Sequence, residues 1–261
     1  MSATATPVAA GEARITSAGM SDLSHSAAPG LGWTIDLGRR DYEKALQWQR
    51  SLIGLRRRGL IRDLLIYVEH PPCLTLGKQT RAENLREVDE SIPRFEIERG
   101  GDVTYHGPGQ LVCYPIFDLN RRGRDLHKFI RNLEQGIIDA LGAYEIAAKR
   151  VTDFTGVWVD TRHGGRKIAS IGIAAQKWVS FHGVAVNLTT DLAEFSRINP
   201  CGLESQVMTS LQELTGRRVT HTEFAAALTA AYAALFDTLF TPVSLSEIAE
   251  DIESDEGGGH V

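Results

Sequence analysis

Apolar residues recur three or four apart over several long stretches of the chain and cluster in short runs between them. From Asp41 to Arg58 they fall at Tyr42, Ala45, Leu46, Leu52, Ile53 and Leu55. This spacing predicts a helix that Asp41 starts and Gly59 stops. The same period predicts a helix over 125–144, with Leu126, Phe129, Ile130, Leu133, Ile137, Ile138 and Leu141 on one face. A short helix is expected over 209–215 and a longer one over 220–240, capped by Thr220 with Glu223 three residues on. Short apolar runs at 33–37, 63–69, 73–77, 156–160, 167–174 and 178–188 read as strands, with 163–166 a turn. Gln110 to Leu119 is too apolar for an exposed segment, and Pro115 within it points to a sheet edge or a strand end. Strands pair in hairpin fashion as often as they alternate with helices. The expected class is therefore α/β (α+β), a mixed, largely antiparallel sheet with helices packed on it. Residues 78–94 are polar and expected to be an exposed connection. Residues 1–32 lack apolar period and 241–261 are acidic and glycine-ended; both are expected to be disordered around one domain over 33–240.

One stretch departs from these periods. Arg99-Gly-Gly-Asp-Val-Thr-Tyr-His-Gly-Pro-Gly-Gln110 holds four glycines and a proline among residues that donate, accept or titrate. A plain hairpin needs only one or two special residues. This density, between apolar runs at 95–97 and 111–119, fits a polar loop that approaches a ligand closely.

Composition narrows the class. The chain has 261 residues, 43% hydrophobic, with no run near the ~18 apolar residues of a membrane span. No basic region followed by an apolar core opens it, so no signal peptide is expected. Cys73, Cys113 and Cys201 are scattered, with no CxxC and no zinc spacing. They read as free thiols in the cytoplasm. The net charge of −5 is uneven: six acids and no Lys or Arg lie in 241–261, and the remainder carries 27 acids against 28 bases. Bases cluster at Arg56-Arg57-Arg58 with Arg62, and at Arg121, Arg122, Arg124, Lys128 and Arg131. Each cluster reads as a solvated helix face or as a docking surface for an acidic protein. No motif supports nucleic-acid binding.

Cys201, in Asn199-Pro-Cys-Gly-Leu203, is favoured over Cys73 and Cys113 as a nucleophile, because Pro fixes the backbone before it and Gly leaves room after it. Its base has three candidates: Lys167 at the start of an apolar strand, where burial would lower its pKa, and His106 or His182. A lysine reaching solvent and hydrogen-bonded histidines are the alternatives. No P-loop, GxSxG, HExxH or GxGxxG occurs, and no metal-ligand set emerges.

The stretch 99–110, together with Lys167-Ile-Ala-Ser-Ile-Gly172, Phe181-His-Gly-Val-Ala-Val-Asn187, Asn199-Pro-Cys-Gly-Leu203 and His70-Pro-Pro72 with Thr75-Leu-Gly-Lys78, closely resembles the lipoyl(octanoyl) transferase family of the lipoate-protein ligase B type. The motifs agree in order and spacing over roughly 33–240. The resemblance implies a biotin/lipoate protein ligase-like catalytic domain and an octanoyl transfer. The donor would be octanoyl-acyl carrier protein. The acceptor would be a lysine of lipoyl-domain proteins, namely 2-oxoacid dehydrogenase E2 subunits and the glycine cleavage H protein. It makes Cys201 the acyl-thioester nucleophile and Lys167 its dyad partner. Arg99, Gly100, Gly101, Asp102, Val103, Thr104, Tyr105, His106, Ser170, Ile171, Gly172, Gly183, Val184 and Ala185 would line the acyl site. No cofactor, ATP or metal is implied, and no nucleic acid or membrane. The rival readings are an ATP-dependent lipoate or biotin ligase, an octanoyl amidotransferase and a non-catalytic acyl-binding module.

Overall fold

The computed structural model describes residues 29–85, 91–199 and 207–248. Residues 1–28 of the expected N-terminal extension, the segment holding Cys201 and most of the acidic tail lie outside them; Gly30 to Gly32, expected to be disordered, instead open the first strand. Eleven strands and four α-helices are defined: β1 Gly30–Arg39, α1 Tyr42–Arg58, β2 Asp63–Glu69, β3 Cys73–Leu76, β4 Arg94–Glu96, β5 Thr104–His106, β6 Gln110–Ile116, α2 Leu126–Gly142, β7 Ala148–Val151, β8 Phe154–Thr161, β9 Gly164–Gln176, β10 Val179–Asn187, α3 Leu211–Thr215, α4 His221–Phe236 and β11 Thr238–Pro242. Eight strands form one sheet in the order β11-β1-β2-β6-β10-β9-β8-β7, and β4-β3-β5 form a second. Only the β11–β1–β2 edge of the large sheet is parallel; every pair from β2 to β7 is antiparallel. The expected class holds.

The large sheet is buried on both faces. One face packs on α2 and α4 through Leu65, Val157, Val186, Leu133, Ile137, Leu228 and Tyr232. The other packs on α1 through Ile35, Ile66, Ala45 and Ile53. The small sheet covers a third cluster around Leu74, Val103, Tyr105, Phe195 and Ile198. Helix ends follow local chemistry: Gly59 closes α1 at φ 78°, Asp125 caps α2, and Thr220 and Glu223 form a capping box on α4.

Several expectations are corrected. The helix expected to reach residue 240 ends at Phe236, because Asp237 takes a left-handed conformation and the chain returns as β11 along β1. Packing continues past 241: Val243 and Leu245 pack on the α1 cluster and Ile248 is buried in it. The connection at 78–94 is not wholly exposed, since Asn84 and Ile92 are buried. Strand β7 carries no strand signal in the sequence, because two of its four residues are charged. Trp178 is not in a strand; with Lys177 it forms the left-handed two-residue turn joining β9 to β10.

Pro115 lies one residue from the end of β6, a central strand, so the strand-end alternative holds and the sheet-edge one does not. The β6–β10 pairing stops at Cys113 and resumes only where Ser180 N–H donates to Phe117 O, at 2.9 Å. Opposite the gap, His182 adopts φ 57°, and its N–H turns to Gln49 Oε1 at 2.8 Å. The interruption gives Pro115 a place where no ladder donor is needed, and the Ser180 hydroxyl donates to Pro115 O across it.

Candidate active site

The expected strand–loop–strand around the glycine-rich stretch is a bridge between the two sheets: it holds β5, which pairs with β3, and delivers the chain to β6. Between the small sheet and the large one lies a cavity of about 900 Å³. The glycine-rich stretch supplies one wall, from Arg99 through Gly100, Gly101, Asp102, Val103 and Thr104, and His106 beyond. Ser170, Ile171 and Gly172 of β9 and Gly183, Val184 and Ala185 of β10 border the opposite side. Lys167 also lines it. Tyr105 alone among the described candidates does not: strand alternation turns it to the other face of the small sheet, against Phe195.

Lys167 reaches the cavity because of a β-bulge. Val157 pairs with Ala169, but Trp158 pairs with Lys167, so Ile168 is an extra residue on β9. Ile168 and Ala169 both enter the core under α2, and the alternation before them is reversed. Lys167 therefore leaves the core face. It is 3% exposed, with Nζ 5.7 Å from the centre of the Trp158 ring. Its stem lies on Gly156, where a Cβ would come within 2.6 Å of Lys167 Cε. Gly156 also holds φ 126°, which favours glycine. Gly156 N–H is fixed at 3.0 Å by Glu134, a fully buried carboxylate of α2 that Arg131 and Arg150 pair at 2.7 and 3.1 Å.

Residues that sequence reasoning left without a role tie these walls together. His106 Nδ1–H donates to Gln110 Oε1 (2.7 Å), and Gln110 Nε2 donates to Asn187 Oδ1 (3.0 Å). Asn187 Nδ2 donates to Thr209 O, and Thr209 N–H to Lys167 O, both at 3.0 Å. A chain of buried hydrogen bonds thus runs from the glycine-rich wall to Lys167. The chain position just before the segment with Cys201 is pinned as well: Asn199 N–H donates to Asn84 O at 2.9 Å, and the Asn84 amide donates to Asp102. Gln110 and Asn187 stood in the motifs, but only the fold shows that they meet.

The electrostatics separate the candidates. Burial pushes Cys73 up to about 12 and raises Cys113 too, so both stay thiols at neutral pH. Burial lowers His106 to about 3, with His70 adding repulsion, and His182 to about 4. Both are neutral near pH 7, and His106 bonds to Gln110 in that form. Of the basic clusters, Arg56 is 6% exposed and paired with Asp63 at 2.8 Å, and Arg122 pairs with the same carboxylate at 2.9 Å. These two hold the fold and are not free for docking; Arg57, Arg58, Arg121 and Arg124 are exposed.

Residues 41–233 match the lipoyl protein ligase A/B catalytic domain. The chain is 44% identical over 201 residues to the octanoyltransferase of Geobacter sulfurreducens, covering 77% of this chain and 83% of that protein. It is 46% identical over 211 residues to the octanoyltransferase of Solibacter usitatus, covering 79% and 93%. Among solved structures, the bipartite lipoate protein ligase of Thermoplasma acidophilum superposes with a TM-score of 0.65 at 17% identity, over 87% of this chain and 91% of that one, which shows a common fold. The chain belongs to the lipoyl protein ligase A/B catalytic-domain family, among its octanoyltransferases.

Proposed function

We propose that the protein moves an octanoyl group from octanoyl-acyl carrier protein to a lysine of a lipoyl domain, through a thioester on Cys201, with Lys167 as its proton acceptor. The observation that carries this reading is the placement of Lys167: buried, and turned by a bulge into a cavity walled by the glycine-rich stretch. Lys167 takes the thiol proton, and the thiolate attacks the donor thioester carbonyl. The carrier thiol leaves with a proton and the octanoyl group stays on Cys201. The acceptor ε-amine then attacks the Cys201 thioester, gives up its proton to Lys167 and releases Cys201. The thioester is already activated, so no nucleotide enters. The apolar and small groups of β9 and β10 hold the alkyl chain, and the neutral His106 faces it from the opposite wall.

Transfer to a purified lipoyl domain without ATP tests this reading. Cys201→Ala is expected to abolish transfer, and Lys167→Met to lower kcat at least 100-fold. Replacing His106 is expected to weaken transfer only in part. An ATP requirement, or transfer by Cys201→Ala, would overturn the assignment.

A further inference from the structure

Between Lys167 and Gly172 the cavity is bordered by small side chains: Ser170 and Gly172 on β9, and Ala185 and Gly183 beside them on β10. The border then stops. At Gly172 the Arg99 side chain crosses the strand, so that a Cβ there would lie 2.5 Å from Arg99 Cδ. Gly100 N–H reaches Ile173 O just beyond, at 3.4 Å. Arg99 is itself fixed, its Nη2 donating to Thr75 O and Oγ1 at 2.8 and 2.9 Å.

The residue after this point on β10 is His182, which lines the cavity and is 1% exposed. Its Nδ1 has no hydrogen-bond partner among the described residues, and its Nε2 stands 3.4 Å from Glu98 Oε2. Gln49 accepts the His182 N–H, yet its own amide nitrogen is buried without a partner. His182 and Arg99 thus stand at this end of the cavity, whereas the β9 and β10 positions before it carry small groups.

At about 3.3 Å per residue, with one residue taken up by the bulge, Lys167 and Gly172 stand about 13 Å apart along β9. With C–C bonds of about 1.5 Å, an extended eight-carbon chain is about 9 Å long. The difference leaves room for the thioester beside Lys167. We infer that the end wall formed by Arg99 and His182 is the length stop of the acyl channel, setting the preferred chain at about eight carbons. This rests on the acyl-transfer reading above. A longer chain runs into the Arg99 side chain, held in place by Thr75, and into the His182 ring, and its extra methylenes find no room.

The test is the ratio of kcat/KM for decanoyl- over octanoyl-carrier protein, with a lipoyl-domain acceptor. His182→Gly removes the ring at a φ of 57° that glycine adopts freely, so the backbone does not oppose it. Each methylene newly buried is worth about fourfold, so two raise the ratio about fifteenfold. His182→Asn, which also tolerates this φ and keeps a polar group, is expected to give a smaller rise and serves if the glycine variant fails to fold. An unchanged or lower ratio in folded variants overturns the length stop. Wild-type protein that moves no octanoyl group at all would overturn the transfer reading instead, so the two failures are distinct.

Discussion

Two buried polar clusters in this molecule are built in opposite ways. Around Asp63 the groups are matched: one carboxylate oxygen accepts from Arg56 and from Asp118 N–H, and the other accepts from Arg122. Arg122 goes on to Phe236 O and Thr238 Oγ1, which ties α4 and β11 to β2. At the cavity, Thr104 Oγ1 and His182 Nδ1 are buried without a hydrogen-bond partner among the described residues, and so are Gln49 Nε2, beside His182, and Trp158 Nε1, beside Lys167. A matched network fixes a fold, because removing any member strands the others. Unmatched polar atoms beside a cavity are tolerated where water or a ligand completes them. The first cluster explains why the parallel edge of the sheet is stable, and the second borders the cavity in which the proposed transfer takes place.

The largest expected effect breaks the matched cluster. Asp63→Ala leaves the buried Arg56 only Asp118, at 3.8 Å, and should cost about 3 kcal/mol, read by denaturant unfolding, since a buried charge loses its close partner. Loss of activity should follow only from unfolding, with KM unchanged in the folded fraction.

The next effect comes from buried imidazoles. His70, His106 and His182 are lowered by burial to about 4, 3 and 4. Their folded values lie below the unfolded value of about 6.5, so the unfolded chain binds more protons in acid. Stability is therefore complete above about pH 6.5 and falls as pH drops toward 4. Between pH 7 and pH 5 each should cost about 1–2 kcal/mol. His182→Asn should reduce that pH dependence by one proton, read from unfolding at the two pH values.

Smaller again is a change that connects the two kinds of cluster. Glu134→Gln weakens the pairing with Arg131 and Arg150 and loosens Gly156, on which the Lys167 stem rests. It should cost about 1–2 kcal/mol of stability, and lower kcat while leaving KM for the acceptor domain nearly unchanged. The smallest effect belongs to exposed charge. Reversing Arg57 and Arg58, or Arg121 and Arg124, should leave stability within ~0.5 kcal/mol and raise KM a few-fold at low salt if these faces dock acidic carriers. Unchanged kinetics at low salt would remove the docking reading.

Much of this was legible in the residues, but unevenly. Helical spacing located α1 and α2 closely because each has one apolar face on a sheet. The composition of the glycine-rich stretch predicts a loop that approaches a ligand, and the structure sets it along a cavity. What sequence could not show depends on pairing across long separations. The bulge at Ile168 is visible only once Trp158 is opposite Lys167. Pro115 fits a central strand only because His182 breaks the ladder facing it. Glu134 and Gln49 sit on helices and read as ordinary polar positions, yet both are fully buried, each holding a backbone N–H at the edge of the cavity. Strand β11 was absorbed into a helical period because a single left-handed residue, Asp237, ends α4.

The central claim is that Cys201 carries the acyl group. Mass spectrometry of the intact protein, mixed with octanoyl-acyl carrier protein without ATP or acceptor, tests it most directly. The account expects one octanoyl adduct, mapped to Cys201 by peptide analysis, absent in Cys201→Ala, and discharged when a lipoyl domain is added. Octanoylation of the lipoyl domain with no adduct on Cys201 at any time would contradict it.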